Sequence, residues 1–226
     1  MLLTLIIAFS LAFAFSHIVL CAEPVRSELV EKMGTVRFRI VYSFVAVGTF
    51  APAAVIAFTN RHLGPILFEL PRWAELSLAL VLMFGAVQLI VLSLATPSPV
   101  SLMPVKPEPR GVLRITRHPM NMGWVLFGLA HITANGALSD VVFFGTCFVF
   151  VGLIGPFHMD ARKRRQDGET MATFLKETSV IPFLAILLRR QKLVLSELAW
   201  PMVILGVILW AALIVFHARL FGAPLL

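Results

Sequence analysis

The sequence has few charged residues and almost no cysteine or tyrosine. Only 14% of its 226 residues are Asp, Glu, Lys or Arg, whereas 59% are hydrophobic, which is outside the range of ordinary soluble domains. The two cysteines, Cys21 and Cys147, fall at different depths of the apolar segments described below, so no disulfide is expected between them. The sequence also lacks a phosphate loop, a zinc-protease motif, a nucleophile elbow and a paired-carboxylate signature.

Long hydrophobic runs dominate what is present. A helix needs roughly 20 apolar residues to cross a bilayer core, and six windows approach that length. They are residues 2–21, 37–58, 75–95, 120–137, 141–158 and 199–218. The sequence thus predicts an all-α fold: one polytopic membrane domain over 1–226, a bundle of about six transmembrane helices. The fourth and fifth windows are joined by the tight turn NGALSD and should form an antiparallel hairpin.

Basic residues follow this topology rather than forming a nucleic-acid-binding surface. The formal net charge is +7, and all Lys and Arg except Arg61, Arg72 and Arg219 fall in the first, third and fifth loops. By the positive-inside rule these loops, at about 22–36, 96–119 and 159–198, are cytoplasmic and both termini face the other side. We therefore expect a multi-pass protein of a bacterial inner membrane, with the lipid bilayer as its main partner and no nucleic acid.

The loops have distinct patterns. Charges at helical spacing predict a short amphipathic turn in the first loop. The third loop has five prolines in the fifteen residues of TPSPVSLMPVKPEPR and should be extended. In the fifth loop a helix is expected to start near Gly168, with Met171, Phe174 and Leu175 as its buried stripe.

Two histidines belong to the fourth window. His118 precedes Pro119 at a predicted helix start, where free N–H groups and Arg117 would suit a carboxylate or phosphate; contact with lipid headgroups is the simpler alternative. His131 lies about 20 Å further along the axis, so the two cannot share a metal ion. We expect His131 to bond a carbonyl or hydroxyl on a neighbouring helix, with metal ligation as the alternative.

His17 and His158 make a better metal-binding pair. Each falls within about one turn of the cytoplasmic end of its helix, at comparable depth. Gly152 and Gly155 would leave a shallow side where a porphyrin could approach the backbone, although helix packing alone explains such glycines. The charged residues beyond His158 would contact solvent or headgroups, or hold acidic groups such as porphyrin propionates; those considered are Asp160, Arg162, Lys163, Arg164 and Arg165.

Three segments in order resemble a known family. They are SHIVLCAEPVRSELVEKMGTVRFRIVYSFVAVG, RITRHPMNMGWVLFGLAHITANG and DARKRRQDGETMATFLKETSVIPF, and together they resemble the NnrU family of bacterial membrane proteins and, more distantly, 15-cis-zeta-carotene isomerases. The resemblance implies a link to nitrite and nitric oxide metabolism (denitrification) or a haem b enzyme that rearranges a carotenoid double bond. By position it makes His17 a haem ligand. The isomerases have further histidines where this chain has Val151 and Gly152, so His158 or His131 would supply the second.

Two other functions stay open from the sequence. The R-H-P-x-x-x-G pattern from Arg117 to Gly123 also resembles membrane methyltransferases that use S-adenosylmethionine, but the chain keeps only the acidic residues Glu169 and Glu177 of their downstream segment and has Tyr42 as its sole tyrosine. A non-enzymatic accessory protein with a basic docking face is the third candidate. The leading interpretation is a haem b membrane protein with a redox, nitrogen-oxide-related or isomerase-like activity on a lipophilic molecule.

Overall fold

The computed structural model describes residues 1–101 and 105–222, and the regular elements in these ranges are helical. The α-helices are α1 (Leu2–Cys21), α2 (Val25–Met33), α3 (Thr35–Thr59), α4 (Arg72–Ala95), α5 (Val112–Ile115), α6 (Pro119–Ala134), α7 (Leu138–Phe144), α8 (Val151–Glu177), α9 (Leu184–Leu187) and α10 (Trp200–Phe221). A π-helical stretch, Gly145–Phe150, joins α7 to α8, and a 3₁₀ turn, Leu195–Glu197, precedes α10. The predicted all-α fold is confirmed.

Five helical segments of the described chain are long and apolar enough to cross a membrane: Leu2–Cys21, Thr35–Thr59, Arg72–Ala95, Leu138–Glu177 and Trp200–Phe221. The protein is therefore a multi-pass membrane protein. Helix α6 has 16 residues and is about 24 Å long, short of the roughly 30 Å of a bilayer core. Helix α6 still packs between α4 and α8 in the bundle. The expected count of about six transmembrane helices therefore corresponds to the five long segments and this shorter helix.

The bundle has two polar ends, which we name by their residues. At the basic end Arg117 contacts Asp160, and Arg165 lies 3.7 Å from Glu23. At the other end, the histidine end, Arg61 donates to the carbonyl of Phe221 and the backbone of residues 63–65 bonds residues 138 and 139. Helix α1 begins and α10 ends at the histidine end. Which end faces the cytoplasm stays a prediction.

Small residues let α6 pack tightly in the centre. A Cβ on Gly123 would lie 2.6 Å from Cγ1 of Ile90 in α4, and one on Gly152 of α8 would lie 2.7 Å from Cγ2 of Val125 in α6. Gly155 likewise faces Asn121 of α6. The glycine side of α8 is therefore filled by α6, and the expected approach of a porphyrin along these glycines is wrong. They serve close helix packing.

Helix α8 extends further than the sequence suggests. The fifth window ends at 158, but the helix continues to Glu177, interrupted at Gly168 by a left-handed backbone (φ 62°) that only glycine adopts without strain. Beyond it Met171 and Phe174 are buried against Val100, as expected for the fifth loop. The amphipathic turn of the first loop is the helix α2. Residues 96–101 and 105–111 are not helical, and residues 102–104 of the proline-rich segment lie outside the described residues.

Candidate functional site

A buried ion cluster joins the start of α6 to α8. Nε2 of His118 donates to Oδ1 of Asp160 at 2.7 Å, while Nε and Nη2 of Arg117 donate to Oδ2 of the same carboxylate at 2.9 and 2.7 Å. The side chains of Arg117 and Asp160 are 13% and 12% exposed, and that of His118 only 1%. Within the part of the chain that the structure describes, these two donors thus face an internal carboxylate, and their role as cofactor-binding residues stays a prediction.

The same cluster fixes the segment that follows α8. Nη1 of Arg117 donates to the carbonyl of Thr178 at 2.9 Å, and the Arg117 amide donates to the carbonyl of Ser179. Oγ1 of Thr116 donates to the carbonyl of Val180 at 2.6 Å. The anion expected at Arg117 and His118 is therefore the carboxylate of Asp160, which lies 42 positions after His118. Asp160 belongs to the charged residues that were expected to face headgroups.

A second ion pair at the basic end joins α5 to the turn before α10. Nε of Arg114 donates to Oε2 of Glu197 at 2.7 Å, and the Gly111 amide donates to the same oxygen at 2.9 Å. The hydrogen bond from Arg114, followed by that from Gly111, lowers the pKa of Glu197 to about 2. Both side chains are partly exposed, so this pair is a surface contact.

His17 lies near the end of α1, between the rings of Phe13 and Tyr42. Its Nδ1 donates to the carbonyl of Phe13 at 2.9 Å, and its ring lies 5.1 Å from that of Tyr42 in α3. Because a carbonyl only accepts, the proton of the neutral ring is on Nδ1 and the lone pair is on Nε2. Cys21, one turn further along α1, donates to the Tyr42 hydroxyl at 3.6 Å.

Helix spacing relates His17 to His158. Residues four apart share one face of a helix, so His17 lies on the face of Cys21 and His158 on the face of Arg162. Arg162 interacts electrostatically with Cys21, and α1 and α8 both run toward the basic end. This interaction places the ends of α1 and α8 near each other at the basic end, and a shared site for His17 and His158 stays a prediction. In the described chain His158 has no hydrogen-bond partner.

Arginines outnumber acids around this position. Arg162 interacts with Arg26 and Arg39 of like charge and with Glu23 of opposite charge, and Arg165 also reaches Glu23. Arg26 is stacked 5.4 Å above the ring of Phe38. Arg162 thus interacts with two further guanidinium groups and one carboxylate, so positive charge is in excess around it, which suits an anionic group.

His131 lies at the opposite, histidine end. Its Nδ1 donates to the carbonyl of Phe127 at 2.9 Å, within α6 itself rather than on a neighbouring helix as expected. The ring is stacked on Phe144 at 4.4 Å between centroids and lies 4.3 Å from the ring of Phe127. It borders a cavity of about 380 Å³ between α3, α4, α6, α7 and α10, which His62, His217 and Trp210 also line.

The charges around this cavity compensate one another. Nδ1 of His62 is 2.8 Å from Oδ2 of Asp140, and Nη1 of Arg72 is 2.6 Å from Oε1 of Glu75. The cavity end therefore differs from the basic end, where positive charge is in excess. A further depression, of about 970 Å³, is an open groove along the polar second half of α8, lined by Arg164, Glu169 and Glu177.

His17 and His158 lie on helices that meet at the basic end, and their shared level stays a prediction, whereas His131 lies at the other end of the bundle. In residues 1–101 and 105–222 no group of three or more His, Cys, Asp or Glu side chains is arranged to hold a metal ion. Cys21 and Cys147 are both free, as expected. A haem would need only one or two side-chain ligands, because the porphyrin supplies the others.

Comparison with known proteins supports the resemblance read from the sequence. The model of the family described as NnrU protein matches residues 4–225. The chain belongs to the NnrU family. NnrU-related similarity extends to the chloroplastic 15-cis-zeta-carotene isomerases of Zea mays, 40% identical over 83 residues, and of Arabidopsis thaliana, 34% identical over 90 residues. Each match covers 37% of this chain and 22% of the isomerase, and no solved structure matches.

Proposed function

We propose that this NnrU protein binds haem b at the basic end, through His17 and His158, and acts as an isomerase-like membrane enzyme on a lipophilic substrate. The observation that carries the proposal is the donor chemistry of His17, whose Nδ1 is held by the Phe13 carbonyl and whose Nε2 is left with a lone pair. A backbone partner on one ring nitrogen is the usual way in which a protein orients a histidine toward a metal.

Charge distinguishes the basic end from the histidine end as a haem site. A haem b carries two propionates, and the basic end has guanidinium groups in excess of carboxylates, among them Arg162 and Arg165. At the histidine end Asp140 and Glu75 already have their partners. The excess positive charge therefore favours haem beside His17, although His131 also leaves its Nε2 available.

The residues have separate tasks in this proposal. His17 and His158 are the iron ligands, and Arg162 and Arg165 neutralise the propionates. When bound, the iron supplies Lewis-acid or one-electron chemistry, which can rearrange a double bond without net oxidation. Apolar lipid-facing side chains such as Phe15 give a lipophilic substrate access from the bilayer. The name of the two isomerases supports a polyene as the first substrate to test.

The decisive experiment is an absorption spectrum of the detergent-purified full chain after haem loading. We expect a Soret band that is lost in His17→Ala and weakened or shifted in His158→Ala, and that is unchanged in the matched controls His131→Ala and His62→Ala. Incubation with 15-cis-zeta-carotene should then give an isomer separable by chromatography from the substrate. A native chain without a Soret band, or a band that is insensitive to His17→Ala, overturns the haem proposal.

A further inference from the structure

The cavity at the histidine end has no part in the haem proposal. It is separated from His17 by most of the bundle, and its volume of about 380 Å³ is within the range of small-molecule sites, which begins near 300 Å³. Its walls come from α3, α4, α6, α7 and α10, so five helices converge on it. Such a cavity in a membrane bundle is accessible to molecules dissolved in the lipid.

One polar atom is directed at this space without a protein partner. His131 uses Nδ1 as a donor to the Phe127 carbonyl, so the neutral ring has Nε2 as an acceptor. Among the described residues no hydrogen bond is made to this Nε2, and His131 lines the cavity, so Nε2 is available to a molecule that enters it. Stacking between Phe127 and Phe144 holds the ring in place.

The rest of the lining selects for a neutral, apolar molecule. Two guanidinium groups, Arg61 and Arg72, and two carboxylates, Glu75 and Asp140, line the cavity, so its formal charges balance when its histidines are neutral. Trp210 closes one side, and its indole N–H donates to the carbonyl of Leu80 at 3.2 Å, which leaves its ring face as an apolar wall. A neutral ligand leaves this balance undisturbed, whereas a charged ligand upsets it and loses its hydration.

From this juxtaposition we propose that the cavity binds a neutral lipophilic molecule through a hydroxyl group, which donates to Nε2 of His131. The apolar body lies against Phe144 and Trp210, between α4 and α10. Long-chain or isoprenoid alcohols and quinols share this chemistry: a hydroxyl donor on a lipid-soluble body. The site is distinct from the one proposed for haem, so either can fail without the other.

Matched ligands test the hydroxyl requirement. We would measure binding of farnesol, its methyl ether and decylubiquinol to the full chain in nanodiscs by calorimetry. Because an acceptor that loses its donor in a desolvated site is penalised, farnesol should bind roughly tenfold more tightly than the ether. Tighter binding of decylubiquinol than of farnesol would identify the ligand class as a quinol. The reverse order would identify it as a long-chain or isoprenoid alcohol.

Variants connect this preference to His131. His131→Phe should bind farnesol and the ether equally, with affinity for the ether retained, which shows that the cavity is still folded. His131→Gln, which keeps an acceptor, should restore part of the preference, and His17→Ala should leave it intact. Equal binding of alcohol and ether to the native chain, or a preference that persists in His131→Phe, overturns the proposal. A Soret band unchanged in His131→Phe keeps this result separate from the haem site.

Discussion

Replacing Asp160 by Asn removes the charge that Arg117 and His118 share while keeping the size of the side chain. Arg117 is then a buried cation without a counter-ion, since its remaining partners are the carbonyls of Thr178 and Leu175. Loss of one member of a buried ion pair costs about 3 to 5 kcal/mol. We expect a loss near the lower limit, about 3 kcal/mol, because those carbonyls still accept from Arg117 and the neutral His118 ring can exchange its proton between its two nitrogens.

The assay is unfolding of the purified protein in mixed detergent and SDS micelles, followed by circular dichroism. The matched control is Asp167→Asn on the same helix, since Asp167 pairs with Lys163 at 3.3 Å but is 41% exposed. Such a surface pair contributes about 0 to 1 kcal/mol. The double variant Arg117→Met with Asp160→Leu should be more stable than Asp160→Asn, because it leaves no unpaired buried charge. An Asp160→Asn protein as stable as the control would refute the reasoning.

Two further predictions test helix packing and the surface pair. Gly152→Ala should destabilise the protein by about 1 to 3 kcal/mol, because the new Cβ would clash with Val125. The control is Gly48→Ala, whose Cβ would meet no atom within 4 Å and should not change stability; thermal unfolding compares the two variants. The pKa of Glu197 is lowered from 4.5 to about 2 by Arg114, so its stabilising effect is complete above pH 4.5 and is lost as the pH falls toward 2. The difference in melting temperature between native protein and Glu197→Gln should shrink over that interval, and a constant difference would contradict the assignment.

Local patterns in the sequence predicted most of the secondary structure. The helix that begins at Pro119, the amphipathic α2 and the buried Met171 and Phe174 follow from capping, charge spacing and apolar periodicity, which act over a few residues. The extent of α8 did not follow. Its charged residues after 158 indicate a loop by composition, but Asp160 is bonded inside the bundle and the helix continues past it.

The candidate sites were only partly predictable. That His17 and His158 share one depth stays a prediction from their positions along their helices. The sequence placed a porphyrin beside Gly152, although which side of α8 faces α6 depends on the rotation of the helix, and that rotation is set by the packing of Val125. No pattern in the sequence indicated that His131 borders a cavity with His62 and Trp210, since they come from α6, the loop after α3 and α10.

The sequence by itself determined that this is a helical membrane protein with its basic loops at one end, because hydrophobic length and loop charge are local properties. Only the tertiary structure decided that Arg117 and His118 donate hydrogen bonds to Asp160 and that His131 lines a cavity. Those outcomes depend on which faces of distant helices meet. Helix rotation and close approach are fixed by packing among all the helices at once, and no single segment encodes them.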